Sequence, residues 1–191
     1  MYLGIGTEHG RKAGQKMSTG DEHFQNFLAR IEAPALSAVA RHWGDARAGH
    51  RMPAWRDIDP LKIVPYLPIV WSWRYDRQND RFIGRLAGDA ITRAFGRSLR
   101  GADLQSFFGE TYPIVHDRYL RILSEPCFSR DSGAVFRHVN GVGVGERVIL
   151  PLADDHQNGD GVFGATTYDL SVLAQENRLD YVFDNLEYFP L

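Results

Sequence analysis

Residues 69–88 read IVWSWRYDRQNDRFIGRLAG, which is two β-rich runs separated by the polar turn DRQND. In the first run, Trp71 and Trp73 alternate with smaller side chains. Successive side chains of a strand point to opposite faces, so both tryptophans belong on one face. The pattern predicts a β-hairpin in which Trp71 and Trp73 face the same side of a sheet.

Downstream of this hairpin, helical patterns come first and strand patterns return after Pro126. Three short helices are predicted at Asp89–Phe95, Ala102–Phe108 and Thr111–Ser124. Three further strands are predicted at Gly133–Val139, Glu146–Leu152 and Val162–Asp169. Consecutive strands joined by short turns favour an antiparallel sheet. We therefore predict an α+β fold, with a five-stranded antiparallel sheet, helices on one side and extra N-terminal helices.

The segment Gly141–Gly145 reads GVGVG and has glycines at the spacing with which a nucleotide-binding loop begins. The last glycine of that motif is missing and no helical pattern follows. We predict a hairpin turn here rather than a nucleotide site.

Upstream of the hairpin, an apolar stripe at helical spacing is formed by Phe24, Phe27, Leu28 and Ile31. Residues 1–20 contain five glycines and no hydrophobic period, which is typical of a flexible tail. The end of the chain is rich in large apolar residues. The predicted organisation is a flexible tail at 1–20, a helical segment at 21–66, the sheet-containing domain at 67–170 and an apolar C-terminal tail at 171–191.

Composition and charge argue against several classes of protein. The formal net charge is -2, which gives no overall attraction to nucleic acid or to an anionic membrane. No apolar run approaches the ~20 residues that span a bilayer, and the N-terminus lacks the apolar core of a signal peptide. The single cysteine, Cys127, allows no intramolecular disulfide. We predict a cytoplasmic protein that binds neither nucleic acid nor membrane.

A set of short motifs runs in order along residues 36–170. They are Trp43, Arg51-Met52-Pro53, Asp57-Ile58-Asp59-Pro60, Leu67-Pro68, Arg85-Leu86-Ala87-Gly88, Phe95-Gly96-Arg97, Leu99-Arg100-Gly101, and Glu146 before Leu150-Pro151-Leu152-Ala153-Asp154-Asp155. In order and spacing they resemble a bacterial family of stand-alone PAS-like proteins. One position departs from the family, which usually has an arginine where this chain has Trp55.

The resemblance implies a PAS-like fold, a role in signal reception or protein docking, and no catalytic activity or catalytic residues. In PAS domains the ligand cavity lies between the sheet and the helices that follow the second strand. Residues with polar or aromatic side chains in the corresponding elements are therefore candidates for a small-molecule pocket. These candidates are Trp71, Trp73, Arg85, Phe95, His116, Tyr119 and Phe136.

Two cofactors of PAS domains are not expected here. Flavin photochemistry needs a reactive cysteine in an Asn-Cys-Arg-Phe type motif, whereas Cys127 follows Glu125-Pro126 and is expected to serve packing. His116 lies on the helix from which haem-binding PAS domains send their axial histidine. Because it stands beside Asp117 and Arg118, we expect it to be solvated or hydrogen-bonded. The histidines also lack the tight paired spacing of a metal site.

Several alternatives stay open at this point. Arg85 either extends to solvent, binds an acidic group in the cavity, or forms a salt bridge with a helix carboxylate. A haem or small-molecule sensor would use His116 or Arg85 as its anchor. An enzyme on the α+β scaffold would require Asp117, His116 and His138 to converge.

The apolar segments at the two ends of the chain predict contacts with other proteins. We expect a signalling partner and a homodimer. The candidate contact residues are Phe24, Phe27, Leu28, Ile31, Phe183, Leu186 and Phe189.

Overall fold

The computed structural model describes residues 19–138, 141–174 and 185–191, with side chains other than those of residues 134–143 and 169–174. The helices are α1 (Thr19–Arg30), α2 (Pro34–Ala46), α3 (Asp89–Phe95), α4 (Leu104–Phe108) and α5 (Tyr112–Ser124), with 3-10 helices at Trp55–Asp57, Pro60–Ile69 and Gly109–Thr111. The strands are β1 (Val70–Asp76), β2 (Arg81–Ala87), β3 (Cys127–His138), β4 (Gly141–Leu152), β5 (Gly161–Ala174) and β6 (Glu187–Pro190).

The six strands form one sheet in the order β2–β1–β5–β4–β3–β6, and all neighbouring strands are antiparallel. The predicted α+β class and antiparallel sheet are confirmed. The sheet has one strand more than predicted, because the end of the apolar C-terminal tail pairs as β6 with Cys127–Arg130 of β3. Phe189 of β6 packs its ring against Phe27, with centroids 5.5 Å apart. That contact anchors β6 at the edge of the sheet.

The prediction of a hairpin turn at Gly141–Gly145 is wrong, because these residues form the first part of β4. They pair with β3, and Gly145 lies opposite Gly133. A Cβ atom on Gly145 would lie 1.9 Å from the carbonyl oxygen of Thr167 in β5. Glycine is needed at this position because two strands approach each other closely. In the sequence alone, closely spaced glycines are more typical of a turn.

The outer face of the sheet is covered by α1 and α2. Phe128 of β3 lies at the centre of this layer, with its ring 5.2 Å from Phe24, 5.0 Å from Phe27 and 5.1 Å from Trp43 between centroids. The indole Nε1 of Trp43 donates a hydrogen bond of 2.8 Å to the carbonyl of Pro151. The apolar stripe of α1 is therefore buried against the sheet of its own chain.

A buried arginine joins both ends of the described chain to the outer face. Arg130 is 3% exposed and donates to Glu146 at 2.6 Å, to Glu187 at 3.1 Å and to Glu32 at 2.8 Å. Glu146 in turn accepts hydrogen bonds from the backbone N–H groups of Glu32 and Ala33, where α2 begins. We call Arg130 and its three carboxylates the Arg130 network. It fixes the α1–α2 junction and β6 to the neighbouring strands β3 and β4.

Candidate functional site

The inner face of the sheet, opposite α1 and α2, is covered by α3, α4 and α5 and carries an aromatic cluster. As predicted from their alternation, Trp71 and Trp73 of β1 both point to this side. The Trp71 ring stacks on Tyr119 of α5 at 5.9 Å, and the Trp73 ring packs on the edge of Phe107 at 5.6 Å. A Cβ atom on Gly164 would lie 2.2 Å from the Trp71 indole, so glycine lets this ring lie flat on the sheet.

Phe95 closes one end of this cluster from the end of α3. Its ring lies 5.1 Å from Phe107 and 5.9 Å from Phe108. The backbone of Phe136 pairs with Gly143 in the β3–β4 ladder, but its side chain lies outside the described residues. The structure therefore brings Trp71, Trp73, Tyr119 and Phe95 of the predicted set into one inner-face cluster.

Buried polar groups lie beside the aromatic rings. Arg118 of α5 is 5% exposed and donates to Asp131 of β3 at 2.6 Å and to Ser129 at 2.9 Å. Asp131 is fully buried. The Nε1 of Trp71 donates to the hydroxyl of Thr166 at 2.9 Å. A salt bridge thus joins α5 to the sheet from inside the fold.

The sequence contained a signal for this pair that the prediction missed. Val115, Tyr119 and Ile122 form the apolar stripe of α5, and Arg118 lies on the same side of the helix. An arginine within an apolar stripe needs a buried partner, because an unpaired buried charge is costly. That partner, Asp131, could not be identified from periodicity, since the pairing depends on the tertiary fold.

His116 is buried, and both of its ring nitrogens face protein oxygen atoms. Nε2 lies 3.3 Å from the backbone oxygen of Asp80 and 3.3 Å from its Oδ1, while Nδ1 lies 3.8 Å from Asp117 Oδ1. The ring also packs between Phe82 and Tyr112 at 5.7 and 5.1 Å. Iron ligation would require this arrangement to break. The side chain of His138, which the enzyme alternative requires, lies outside the described residues.

Arg85 lies away from the inner-face cluster. Its guanidinium packs over Trp55, 4.9 Å from the ring centroid, and Trp55 itself packs against the outer-face core. Arg85 forms no salt bridge with any described residue, so of the three alternatives the pairing with a helix carboxylate is not seen in the structure. The pairing of β1 with β2 shifts between Ser72 and Trp73, which leaves Arg85 as an extra residue in a β-bulge.

Cys127 is a buried free cysteine on the inner side of β3. Burial raises the pKa of its thiol to about 11, so it is protonated at neutral pH and a poor nucleophile. Within the described ranges, no group of three or more His, Cys, Asp or Glu side chains could hold a metal ion. No described helix has the length and apolar character needed to cross a bilayer.

The residues predicted for protein contacts differ in how far they are buried within the chain. Phe24, Phe27 and Leu28 are buried in the outer-face core, and Ile31 packs against it. Phe189 is partly buried against Phe27, and Leu186 is partly exposed. Phe183 lies outside the described residues. A dimer contact through the α1 stripe would require α1 to leave the sheet of its own chain.

Comparison with known proteins identifies one family. The model of the PAS domain family matches residues 31–167, in agreement with the resemblance seen over residues 36–170. No curated protein and no solved structure matches the chain significantly. PAS domains are in general sensory and regulatory modules rather than catalysts. By the extent of this match and by its strand order, the chain belongs to the PAS domain family.

Proposed function

We propose that this chain is a cytoplasmic PAS-type regulatory module that acts by binding a signalling protein, and that a small molecule at the inner face tunes this binding. Binding to a partner is supported by an exposed apolar surface. Tuning by a small molecule is supported by polar and aromatic groups buried between α5 and the sheet. The module carries out no catalysis of its own.

Leu61 and Val64 support the binding of a partner, and this exposed pair is the observation that carries the proposal. Their side chains are 81% and 52% exposed, whereas Ile63 between them is buried. They lie on either side of a kink at Ile63 in the 3-10 segment Pro60–Ile69, which contains three prolines that restrict its backbone. The Asp59 carboxylate also accepts a hydrogen bond from the N–H of Leu61 at 3.0 Å. A rigid apolar surface binds a partner with a small loss of conformational entropy.

We expect the double variant Leu61→Asp/Val64→Asp to lose the protein that the wild type captures. Both side chains are exposed, so the free energy of unfolding should change by no more than about 0.5 kcal/mol per site. Purified variants are immobilised, exposed to a lysate of the source cells and compared by quantitative mass spectrometry.

Ile114→Asp is the matched control, since Ile114 is a 48% exposed apolar residue on α5. A protein retained by wild type and Ile114→Asp but absent from the double variant supports the proposal. Equal capture by all three proteins contradicts it. Light scattering of the same samples tests a homodimer through this surface, which requires that the wild type be a dimer and the double variant a monomer.

The inner face supports a response to a small molecule. Polar groups beside aromatic rings are what a small-molecule site needs, because they can exchange hydrogen bonds within the protein for hydrogen bonds to a ligand. This face contains the buried Arg118, Asp131, Ser129 and Thr166 beside the aromatic rings of Trp71 and Tyr119. Since both nitrogens of His116 face protein oxygens, the proposed ligand is an organic molecule and not haem.

Native mass spectrometry of freshly purified protein is expected to show a non-covalent adduct of low mass. The adduct should be lost from Trp71→Ala, which removes the ring that stacks on Tyr119. It should persist in Leu61→Asp/Val64→Asp, whose substitutions are on the surface. A spectrum of the wild type with no adduct contradicts the small-molecule part of the proposal and leaves partner binding to its own test.

A further inference from the structure

Arg85 has no polar partner among the described residues. It has no hydrogen bond or ion pair, and its Nη1 atom is buried without an acceptor. Its guanidinium packs over the face of Trp55, 4.9 Å from the ring centroid. Burial lowers the pKa of the guanidinium. A buried donor without an acceptor bears the full cost of its desolvation, so this arrangement weakens the fold.

Asp160 has a buried acceptor atom that no donor uses. Its Oδ2 accepts a hydrogen bond of 2.8 Å from the N–H of Asp154, but its Oδ1 is buried without a donor. Burial is the main cause that raises the pKa of this carboxyl. Asp160 and Asp154 are the carboxylates that act electrostatically on Arg85, and neither lies within ion-pair distance of it. Contacts place both groups beside the same segment. Arg85 packs over Trp55. The adjacent Arg56 donates a hydrogen bond of 3.1 Å to the backbone oxygen of Asp154, whose N–H is bonded to Asp160. The unused donor and the unused acceptor therefore border the Trp55-Arg56 segment without contacting each other.

We propose that Arg85 and Asp160 form a binding site for a small planar molecule that carries a carboxamide group. The carbonyl oxygen of a carboxamide accepts a hydrogen bond from Arg85 Nη1, and its NH2 group donates one to Asp160 Oδ1. A carboxamide is a neutral group that presents an acceptor and a donor side by side. The site satisfies both orphaned atoms at once.

The surroundings suit an aromatic ligand. Trp55 packs edge-on against Phe163 with centroids 6.4 Å apart, which supplies an apolar aromatic wall beside the polar pair. Trp55 and Arg85 are both partly exposed, so the site reaches solvent. It lies on the outer side of the sheet and is separate from the inner-face cluster. Its occupation goes beyond the proposed function and does not depend on it.

Benzamide is the probe, and its binding to the purified full chain is measured by isothermal titration calorimetry and by ligand-observed NMR. We expect Arg85→Met and Asp160→Asn each to weaken benzamide binding at least tenfold. Asp160→Asn keeps an oxygen for the N–H of Asp154 but offers the ligand a donor in place of an acceptor. Acetophenone, which has the carbonyl but no NH2 group, should bind the wild type at least tenfold more weakly than benzamide.

Arg74→Met is the matched control, because Arg74 is an exposed arginine of β1 that also acts electrostatically on Arg85. The Arg74→Met variant should bind benzamide with the same affinity as the wild type. No benzamide binding to the wild type, or equal binding to Arg85→Met, would show that a bridging water alone fills this position and overturns the site.

The melting temperature gives a second readout. Removing the unsatisfied Nη1 donor of this half-buried side chain should raise the Tm of Arg85→Met by about 2–4 °C, since a buried donor without an acceptor destabilises the free protein. A Tm that falls in Arg85→Met would show that the unpaired donor does not destabilise the free protein, and this result also overturns the proposal.

Discussion

Replacing Arg130 with methionine is expected to lower the free energy of unfolding by about 3–5 kcal/mol. Arg130 is 3% exposed, and methionine fills much of its volume but removes the charge. Glu146 is also buried and then has no cation to compensate its carboxylate. Glu187 on β6 and Glu32 before α2 lose their contact with the Arg130 guanidinium as well. Urea denaturation followed by tryptophan fluorescence measures the change.

Arg30→Met is the control for Arg130→Met, because it removes a surface cation that pairs with Glu187, one of the three carboxylates of the Arg130 network. The Arg30 side chain is 59% exposed and pairs with Glu187 at 2.9 Å, so its loss should cost about 0–1 kcal/mol. Equal losses of unfolding free energy in the two variants would show that burial of Arg130 adds nothing to its contribution. That result would contradict the role of the Arg130 network in holding the α1–α2 junction and β6 to the sheet.

Replacing Arg118 with methionine is expected to have a similarly large effect, about 3–5 kcal/mol, on the other face of the sheet. The substitution leaves the fully buried carboxylate of Asp131 without its 2.6 Å partner on α5. The longer contact from Arg147, at 3.8 Å, compensates only part of this charge. The same denaturation experiment reports the loss.

The double variant Arg118→Met/Asp131→Leu separates charge from packing. If the cost of Arg118→Met comes from an uncompensated carboxylate, removing both charges should recover most of the lost stability. A double variant no more stable than Arg118→Met would instead assign the cost to lost packing. In that case the Arg118–Asp131 pair would not be the polar link between α5 and the sheet.

Much of the fold follows from local sequence patterns. The bounds of α3 match the predicted Asp89–Phe95, and the first hairpin was evident from two short β-rich runs and the turn between them. The start of β3 was missed, because Ser129-Arg130-Asp131 is polar and is typical of a loop. All three side chains are buried in the folded chain, each with partners distant in sequence. Local patterns contain no information on such partners.

The candidate site also has a part that the sequence predicts and a part that it does not. The shared face of Trp71 and Trp73 was predictable, because regular alternation holds through β1. The position of Arg85 was not, because alternation fails at the bulge that contains it. Its stacking on Trp55 depends on the path of the connector between α2 and β1, which no periodic pattern specifies.

The consecutive placement of Arg130 and Asp131 on β3 guards against misaligned folding. A slip of β3 by one position, in either direction, exchanges the two sides of the strand. The guanidinium of Arg130 would then meet Arg118, and the carboxylate of Asp131 would meet Glu146 and Glu187. Like charges would meet on both faces of the sheet, so the Arg-Asp order disfavours any slip of β3 by an odd number of positions.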